Sequence, residues 1–295
     1  MQATFFGSIH IICNPKSTGP SLKYARELQR ELYRKHAIRS EIHKTEYAGH
    51  AEKLAYDLSC SSKRSLIISS SGDGGYNEVI NGVMNAIEKG KNPVCAVLPA
   101  GNANDHARSM GITSLADSIY ASKVRQLDVL RLRIESKDLL REKFAHSYIG
   151  FGLTPSVAME LNATNLNIFK EVFIVAKNIL FNRPFHIQHK EKMIALDSLV
   201  FSNIGEMAKI LTFAKNAEPD DGKFEVTIFP HRGKSDLVRR LWHATRGIDQ
   251  SKHFATFSFI CKNATAVQLD GEVEKIPANS TIQIICEHKK LNTLQ

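Results

Sequence analysis

The first 130 residues alternate between short runs of β-branched residues and longer amphipathic stretches with helical spacing. This alternation is typical of parallel strands that are covered by helices. We predict strands over residues 8–13, 38–44, 65–70 and 94–98, and helices over 21–36, 50–60 and 76–89. Ligands of such sheets bind outside the carboxyl ends of the strands. The loops 14–20, 71–77 and 99–105 are therefore expected to share one crevice.

After Asp128 the pattern changes to longer alternating runs, which indicate a mainly-β region. The runs cover residues 129–134, 143–151, 192–202, 224–229, 254–260, 264–269 and 281–286, and helical stretches over 167–181 and 234–246 interrupt them. The predicted fold class is α/β plus mainly-β: an open α/β nucleotide-binding domain over residues 1–127 and a β-sandwich domain over 128–295. The last strand or tail is a candidate to pack back on the first domain.

The net charge limits the classes of partner that the protein is expected to bind. The formal net charge of +9 favours anionic partners, which include nucleotides, nucleic acid and anionic lipid. The basic residues are not clustered and no recognition motif is present, so we predict no nucleic-acid partner. The five cysteines form no C-x-x-C pair and indicate neither a disulfide framework nor a zinc site. Without a signal-like start or a run of 18 apolar residues, we expect a cytoplasmic protein that meets the inner membrane face peripherally.

The segment Ser71-Gly72-Asp73-Gly74-Gly75 lies between a predicted strand and a predicted helix. Glycines at such a junction let the backbone approach a phosphate, and the N-terminus of the following helix favours an anion. A carboxylate beside phosphates repels them, so Asp73 indicates a Mg²⁺ ion in between. The alternative is a plain strand-to-helix turn in which Asp73 caps the helix N-terminus.

Two other predicted strands end in loops of the same character. Asn14-Pro15-Lys16-Ser17 follows the first strand, and Pro99-Ala100-Gly101-Asn102-Ala103-Asn104-Asp105 follows the fourth. Both loops place small residues, amides and one charge at the same edge of the sheet. The three loops together predict a phosphate-binding site more strongly than any one of them.

These blocks, with two later ones, resemble the diacylglycerol kinase catalytic-domain family, which includes bacterial lipid kinases, sphingosine kinases and ceramide kinase. The family pattern runs N-P-x-S-G, G-G-D-G-T-x-N-E-x-x-N-G, P-x-G-T-x-N-D-x-A-R, L-D and D-G-E. The chain carries the corresponding residues 14–17, 71–82, 99–108, 127–128 and 270–272 in that order. The resemblance implies a two-domain kinase that uses ATP and Mg²⁺ to phosphorylate a lipid hydroxyl, with the nucleotide in the cleft between the domains.

The resemblance also implies roles for individual residues. The implied nucleotide-binding residues are Asn14, Lys16, Ser17, Thr45, Ser71, Gly72, Gly74, Gly75, Asn77, Glu78, Gly101, Asn102 and Asn104. The implied catalytic residues are Asp270 and Glu272, which would remove the proton from the lipid hydroxyl, and Asp73, which would act through Mg²⁺. The implied metal ligands are Asp73, Asp105, Asp128 and Asp221. On local grounds alone, Asp270-Gly271-Glu272 also fits a charged hairpin turn between strands, and Asp220-Asp221-Gly222 fits an exposed turn.

Gly75 and Asn102 stand where the family pattern has threonine. Gly75 removes a hydroxyl that would face the phosphates, whereas the amide of Asn102 can still donate a hydrogen bond. These departures leave three alternatives open: a sphingoid-base kinase, a non-catalytic nucleotide or lipid sensor, and a kinase of a soluble substrate. NAD kinases and phosphofructokinases are similar in using a Gly-Gly-Asp-Gly turn.

The two helical stretches of the second half allow a structural and a lipid-related interpretation. Apolar residues at helical spacing in 167–181 fit core packing or the wall of an acyl-chain pocket. In 234–246, Val238 and Trp242 lie on one side with arginines around them, which fits an ordinary amphipathic helix or a helix on anionic lipid. A homodimer stays an open alternative.

Overall fold

The computed structural model of the chain describes residues 5–17, 19–101, 104–111, 114–162, 174, 177–181, 183–207, 211–212, 217–246, 248 and 251–294. The chain divides into two compact units. The first comprises Met1–Asp128 and Lys289–Gln295, and the second comprises Val129–His288. No helix among the described residues combines the length and the apolar character needed to span a membrane.

Helices and strands alternate in the first unit. They are β1 (Ser8–Cys13), α1 (Ser21–His36), β2 (Glu41–Lys44), α2 (His50–Ser61), β3 (Ser65–Ser71), α3 (Asp73–Glu88), β4 (Val94–Pro99), α4 (Asp105–Met110) and α5 (Leu115–Ala121).

Strands predominate in the rest of the chain. They are β5 (Val124–Ser136), β6 (Leu139–Ala145), β7 (Tyr148–Gly152), β8 (Phe185–His189), β9 (Lys192–Ser202), β10 (Glu206–Met207), β11 (Leu211–Thr212), β12 (Phe224–Pro230), β13 (Lys252–Phe254), β14 (Thr256–Cys261), β15 (Thr265–Leu269), β16 (Glu272–Ile276) and β17 (Ser280–Leu294). The helices are α6 (Leu153–Asn162) and α7 (Lys234–Thr245).

The sheet of the first unit is parallel. Its strands follow the order β4-β3-β1-β2, and the end of β17 pairs in parallel with β4 through Thr293 and Cys95. All seven residues of β3 are buried, as expected for a central strand with helices on both faces. On one face, Leu28 and Leu32 of α1 pack with Ile11 and Ile68 of the sheet. On α3, a Cβ atom at Gly82 would overlap the Glu52 carbonyl oxygen of α2, so a glycine permits this close helix packing.

The strand pairs of the second unit are antiparallel. β9 pairs with β7, β8 and β12, β15 pairs with β7 and β16, and β14 pairs with β8 and β17. Their apolar faces enclose one core in which phenylalanine rings meet edge to face. The centroid of Phe151 lies 5.3 Å from that of Phe259 and 6.1 Å from that of Phe201. Such pairs add to the free energy that burial of the rings contributes.

The predicted fold class, α/β followed by mainly β, is confirmed, and several boundaries differ. β2 begins at Glu41 because α1 ends at His36 in an αL cap, in which Ala37 has a φ of 54° and its amide donates to the Tyr33 carbonyl (3.0 Å). α3 begins at Asp73, three residues before the prediction. The predicted strand 143–151 divides into β6 and β7. Most of the predicted helix 167–181 lies outside the described residues. Residues 174 and 177–181, the part of that range that the structure describes, are helical.

Candidate active site

The three predicted phosphate loops meet at the carboxyl edge of the parallel sheet. The Ala100 amide donates to the Ser71 carbonyl (2.9 Å). A Cβ atom on Gly72 would lie 3.1 Å from the Gly101 Cα atom, and one on Gly19 would overlap the Ala100 carbonyl oxygen. Backbone therefore packs directly on backbone at this edge, which only glycine permits. The three loops are therefore close together at this edge, as predicted, and the crevice that they are expected to form stays a prediction.

The first loop is folded by its own side chains. Asn14 Oδ1 accepts a hydrogen bond from the Lys16 amide (2.9 Å), and the Ser17 hydroxyl donates to the Gly19 carbonyl (3.0 Å). The Ser70 hydroxyl donates to the Ser21 carbonyl (2.8 Å), which fixes the start of α1 beside the second loop. The Lys16 side chain is exposed. The loop thus has a fixed backbone and an ammonium group that solvent, and so an anion, can reach.

Asp73 connects the second loop with the third. Its carboxylate accepts hydrogen bonds from the Asp105 amide (3.2 Å) and the His106 amide (3.4 Å), which belong to the first turn of α4. The residue that caps α3 is Gly72, in an extended conformation and without a side-chain hydrogen bond. The alternative in which Asp73 caps α3 is therefore wrong. Asp73 lies inside the first turn of α3 and holds the N-terminus of another helix.

The side chain of Ser71 occupies the space beside Gly75. A Cβ atom on Gly75 would lie 2.7 Å from Ser71 Cβ and 2.8 Å from Ser71 Oγ. The Ser71 hydroxyl donates to the Gly72 carbonyl (3.0 Å) and lies 2.7 Å from Ser69 Oγ. Where the family pattern has Gly at 71 and Thr at 75, this chain has Ser and Gly. In this chain the hydroxyl beside position 75 is that of Ser71, at the end of β3.

Three other residues implied to bind the nucleotide make structural contacts. The carboxylate of Glu78 accepts hydrogen bonds from the amides of Gly49 and Ala51 (3.2 Å each) and so caps the N-terminus of α2. Asn77 is buried and accepts a hydrogen bond from the Asn81 side chain (3.1 Å). The Thr45 amide donates to the Cys13 carbonyl (2.9 Å). The contacts of Thr45, Asn77 and Glu78 with ATP stay predictions.

The third loop closes on its own backbone. Asn104 has a φ of 52°, its Oδ1 accepts from the Gly101 amide (3.0 Å) and its Nδ2 donates to the Gly101 carbonyl (2.8 Å). Asparagine tolerates this left-handed conformation better than most residues. The next residue, Asp105, is buried and pairs with Arg108 (2.5 Å). Asn102 lies outside the described residues.

The implied metal ligands lie in different surroundings. Asp128 is buried and accepts a hydrogen bond from the Lys289 amide (2.7 Å), whereas the exposed Asp221 accepts one from the Lys223 amide (2.9 Å). In the described part of the first unit, Asp73, Asp105 and Asp128 do not converge as a three-carboxylate site. Mg²⁺ in kinases is usually held by one or two carboxylates together with phosphate oxygens. Asp73, which lies at the glycine loops, fits that requirement, and the four metal roles stay predictions.

A buried carboxylate that the predictions from sequence did not include lies close to Asp221. Glu225 on β12 is buried, and burial raises its pKa to about 7. Asp221 raises that pKa further, whereas backbone hydrogen bonds and His253, whose Nδ1 lies 3.3 Å from Glu225 Oε1, lower it. Glu225 lies in an ordinary strand pattern, and its burial depends on the neighbouring strands β9 and β13. The local sequence therefore contains only a weak sign that this carboxylate is buried.

In the second unit, Asp270 forms the tip of a buried hairpin. Asp270 and Gly271 connect β15 to β16 with φ angles of 49° and 104°, as in a type I′ turn. The Asp270 carboxylate is 0% exposed and accepts hydrogen bonds from three consecutive amides: those of His146 (2.7 Å), Ser147 (3.0 Å) and Tyr148 (2.8 Å). The Asp-Gly-Glu block is therefore a hairpin turn between strands, as its local alternative has it, and the Asp270 carboxylate within that turn is buried. These contacts also explain the break between β6 and β7.

Glu272 differs from Asp270 in its access to solvent. It begins β16 and is exposed. A general base must come within hydrogen-bond distance of the proton that it removes. Within the Asp270-Gly271-Glu272 block, the exposed carboxylate is that of Glu272.

Comparisons with known proteins agree with this arrangement. The profile of the diacylglycerol kinase catalytic domain matches residues 8–132. The chain is 33% identical to a diacylglycerol kinase of Bacillus subtilis over 244 residues, which cover 74% of this chain and 76% of that one. It is 24% identical to a putative lipid kinase of Staphylococcus aureus, over 68% of each chain. It is 29% identical to sphingoid long-chain bases kinase 1 of Arabidopsis thaliana, of which it spans 19%.

Solved structures show the same fold. A diacylglycerol kinase from Bacillus anthracis superposes with a TM-score of 0.72 at 17% identity and covers 99% of this chain and 98% of its own. Yeast NADH kinase superposes with a TM-score of 0.54 at 10% identity, over 99% of this chain and 83% of its own. The fold is thus common to kinases with different acceptors.

Proposed function

The chain belongs to the diacylglycerol kinase family and is a lipid kinase, and from that premise we propose that it transfers the γ-phosphate of ATP to a hydroxyl of a diacylglycerol-like lipid at a membrane surface. The meeting of three glycine-containing loops at one sheet edge carries this proposal. Backbone amides at such an edge bind phosphate without side chains that would keep the backbone away.

For the nucleotide, we assign the phosphates to the exposed Lys16 and to the amides of Gly72, Gly74 and Gly75 at the start of α3. The first amides of a helix have no partner within that helix, and the helix dipole adds positive potential there. Asp73 would hold Mg²⁺ together with phosphate oxygens, and the ion supplies neutralisation of the phosphate charge when bound. Asp73 also orients α4 through its two backbone contacts.

For the acceptor, we assign different roles to the two carboxylates of the Asp-Gly-Glu block. Glu272 is exposed and acts as the general base that takes the proton of the lipid hydroxyl. Asp270 is a positioning residue because three backbone amides occupy its buried carboxylate. By fixing the β15–β16 turn, Asp270 determines where Glu272 lies.

For the membrane, we propose that α7 lies on anionic lipid. Leu237 and Ala244 bury one side of α7 against Tyr148 and Phe229. On its other side, Val238 is 51% exposed and Trp242 is 49% exposed, and the Arg246 guanidinium lies 3.8 Å from the Trp242 ring centre. A tryptophan beside a cation is suited to the boundary between headgroups and acyl chains.

The test is transfer of labelled γ-phosphate from Mg²⁺-ATP into mixed micelles that contain diacylglycerol, a sphingoid base or a total lipid extract. We expect the label to appear in phosphorylated diacylglycerol. For Glu272→Gln we expect the rate of transfer to fall by about 10²–10⁴-fold while the thermal stability is unchanged. Glu274→Gln is the matched control because Glu274 lies two residues further along β16. Asp270→Asn should instead lower the unfolding temperature, because its NH₂ group would face backbone amides.

Four results would contradict the proposal. Labelled sphingoid base without labelled diacylglycerol would change the acceptor, and a labelled water-soluble acceptor without lipid would make the protein a kinase of a soluble substrate. A normal rate in Glu272→Gln would remove Glu272 as the base. ATP binding without transfer to any acceptor would indicate that the protein is a non-catalytic sensor.

A further inference from the structure

Three side chains with metal-binding atoms converge on the edge strand of the parallel sheet. His10 lies on β1, and Glu41 and His43 lie on β2. In the parallel register His10 pairs with Glu41 and Ile12 pairs with His43. Residues two apart in a strand point to the same side. The three side chains therefore project from one face of two hydrogen-bonded strands.

The distances between their ligand atoms match a metal site. His10 Nδ1 lies 3.1 Å from His43 Nε2, and Glu41 Oε2 lies 3.6 Å from each of these nitrogens. A point equidistant from the three atoms lies about 2.0 Å from each of them, and Zn²⁺ is bound at about 2.0–2.2 Å by histidine nitrogen and carboxylate oxygen. A hydrogen bond between the two rings would account for one side of this triangle only.

The burial of His10 points the same way. His10 is 6% exposed, and its Nε2 is buried without a hydrogen-bond partner, while its Nδ1 faces the cluster. An ion would bind His10 through Nδ1, and the burial of the ring holds that nitrogen in place facing Glu41 and His43. Among the described residues, no other group of three His, Cys, Asp or Glu side chains has ligand atoms this close together.

We propose that His10, Glu41 and His43 bind a divalent transition-metal ion, Zn²⁺ above all, with a fourth position open to water. Two imidazoles and one carboxylate form a ligand set typical of Zn²⁺. Mg²⁺ prefers oxygen ligands in an octahedron, so this site is distinct from a Mg²⁺-ATP site. A surface cavity of about 620 Å³, whose lining includes His10 and Glu41, gives an ion access from solvent.

A metal here would connect β1 to the edge strand just before two loops of the candidate nucleotide site. β1 continues into Asn14 and Lys16, and His43 precedes Thr45 by two residues. The Thr45 amide already donates to the Cys13 carbonyl at the end of β1 (2.9 Å). The bound ion would therefore fix these strand ends relative to each other and stabilise the folded first unit by linkage.

The experiment is calorimetric titration of Zn²⁺ into the full chain after removal of metals, with excess Mg²⁺ present throughout. We expect one equivalent of Zn²⁺ to bind the wild type, and binding to Glu41→Gln and His43→Ala to be weaker by at least about 10–100-fold, the loss that already follows when a partner of a ligand is removed. Glu41 has a 72% exposed side chain, so its substitution leaves the packing intact. His186→Ala, at an exposed histidine of the second unit, is the control and should bind like the wild type.

Co²⁺ provides a second measurement that reports on the ligands themselves. The wild type should show the intense visible absorption of four-coordinate Co²⁺, and Zn²⁺ should displace it. Equal Zn²⁺ affinity in the wild type and both cluster variants, or less than one equivalent bound by the wild type, would overturn the proposal. Neither readout depends on kinase activity, so failure of the proposed function leaves this test unaffected.

Discussion

The contact between Ser71 and Gly75 predicts a strong energetic coupling at the second loop. Gly75→Ala would place a Cβ atom 2.7 Å from Ser71 Cβ, which is closer than side-chain carbons approach. Ser71 cannot move away easily because its hydroxyl is bonded to Ser69 and to the Gly72 carbonyl. Overpacking of this kind costs roughly 1–3 kcal/mol. Alanine gains up to about 1 kcal/mol over glycine in a helix, so the single variant should lose about 0–2 kcal/mol, and about 1 kcal/mol for a steric cost near the middle of the range.

Ser71→Gly removes the obstacle and changes the sign of the effect. In that background, Gly75→Ala keeps the gain in helix propensity and should stabilise the protein by about 0.5–1 kcal/mol. The helix term cancels in a double-mutant cycle, which leaves a coupling of about 2 kcal/mol that reports the steric contact alone.

The assay is equilibrium unfolding in urea of the wild type, the two single variants and the double variant, compared at a common m value. Ser71→Gly combined with Gly82→Ala is the control pair, because Gly82 contacts α2 and not Ser71. The changes that these two substitutions cause in the free energy of unfolding should be additive. A coupling below about 0.5 kcal/mol between positions 71 and 75 would refute the steric explanation of the Ser71 and Gly75 exchange.

Two further predictions concern a helix cap and the membrane contact. Glu78→Gln should lower the free energy of unfolding by about 1 kcal/mol, because it removes the charge that faces the Gly49 and Ala51 amides; an unchanged thermal transition would contradict this. Trp242→Ala should reduce cosedimentation with anionic vesicles several-fold, whereas Tyr120→Ala, at an exposed aromatic residue of the first unit, should not. Equal losses in both variants would remove α7 as the specific contact.

Local patterns predicted those elements whose boundaries depend on local forces. Residues 21–36 and 192–202 were predicted with the bounds that α1 and β9 have, because a single apolar period runs through each. Elements decided by distant contacts were missed or misplaced. The break at His146 depends on the Asp270 carboxylate, 124 residues further along the chain, and no local pattern around His146 indicates it.

The His10, Glu41 and His43 cluster shows the same limit more sharply. Glu41-Ile42-His43 is an ordinary strand pattern, and His10 lies 31 residues before Glu41. Their convergence depends on the parallel register, since a shift by one residue would turn the β2 side chains to the opposite face. A sequence can supply the ligand types, but the pairing of β1 with β2 supplies the site.

The glycines of the three loops have two requirements at once, and this determines how phosphate binding can be tested. Neighbouring backbone leaves no room for a Cβ atom at Gly19 and Gly101, and a Cβ atom on Gly72 would press on the Gly101 Cα atom at 3.1 Å. A substitution at these positions would therefore disturb the contacts between loops before it affected a ligand. Loss of ATP binding in such a variant would not distinguish a binding residue from a packing residue. A substitution of Lys16 can distinguish the two roles, because its side chain is exposed and the fold of its loop depends on the Lys16 backbone amide and on Asn14. Loss of ATP binding in such a variant would report on binding and not on packing.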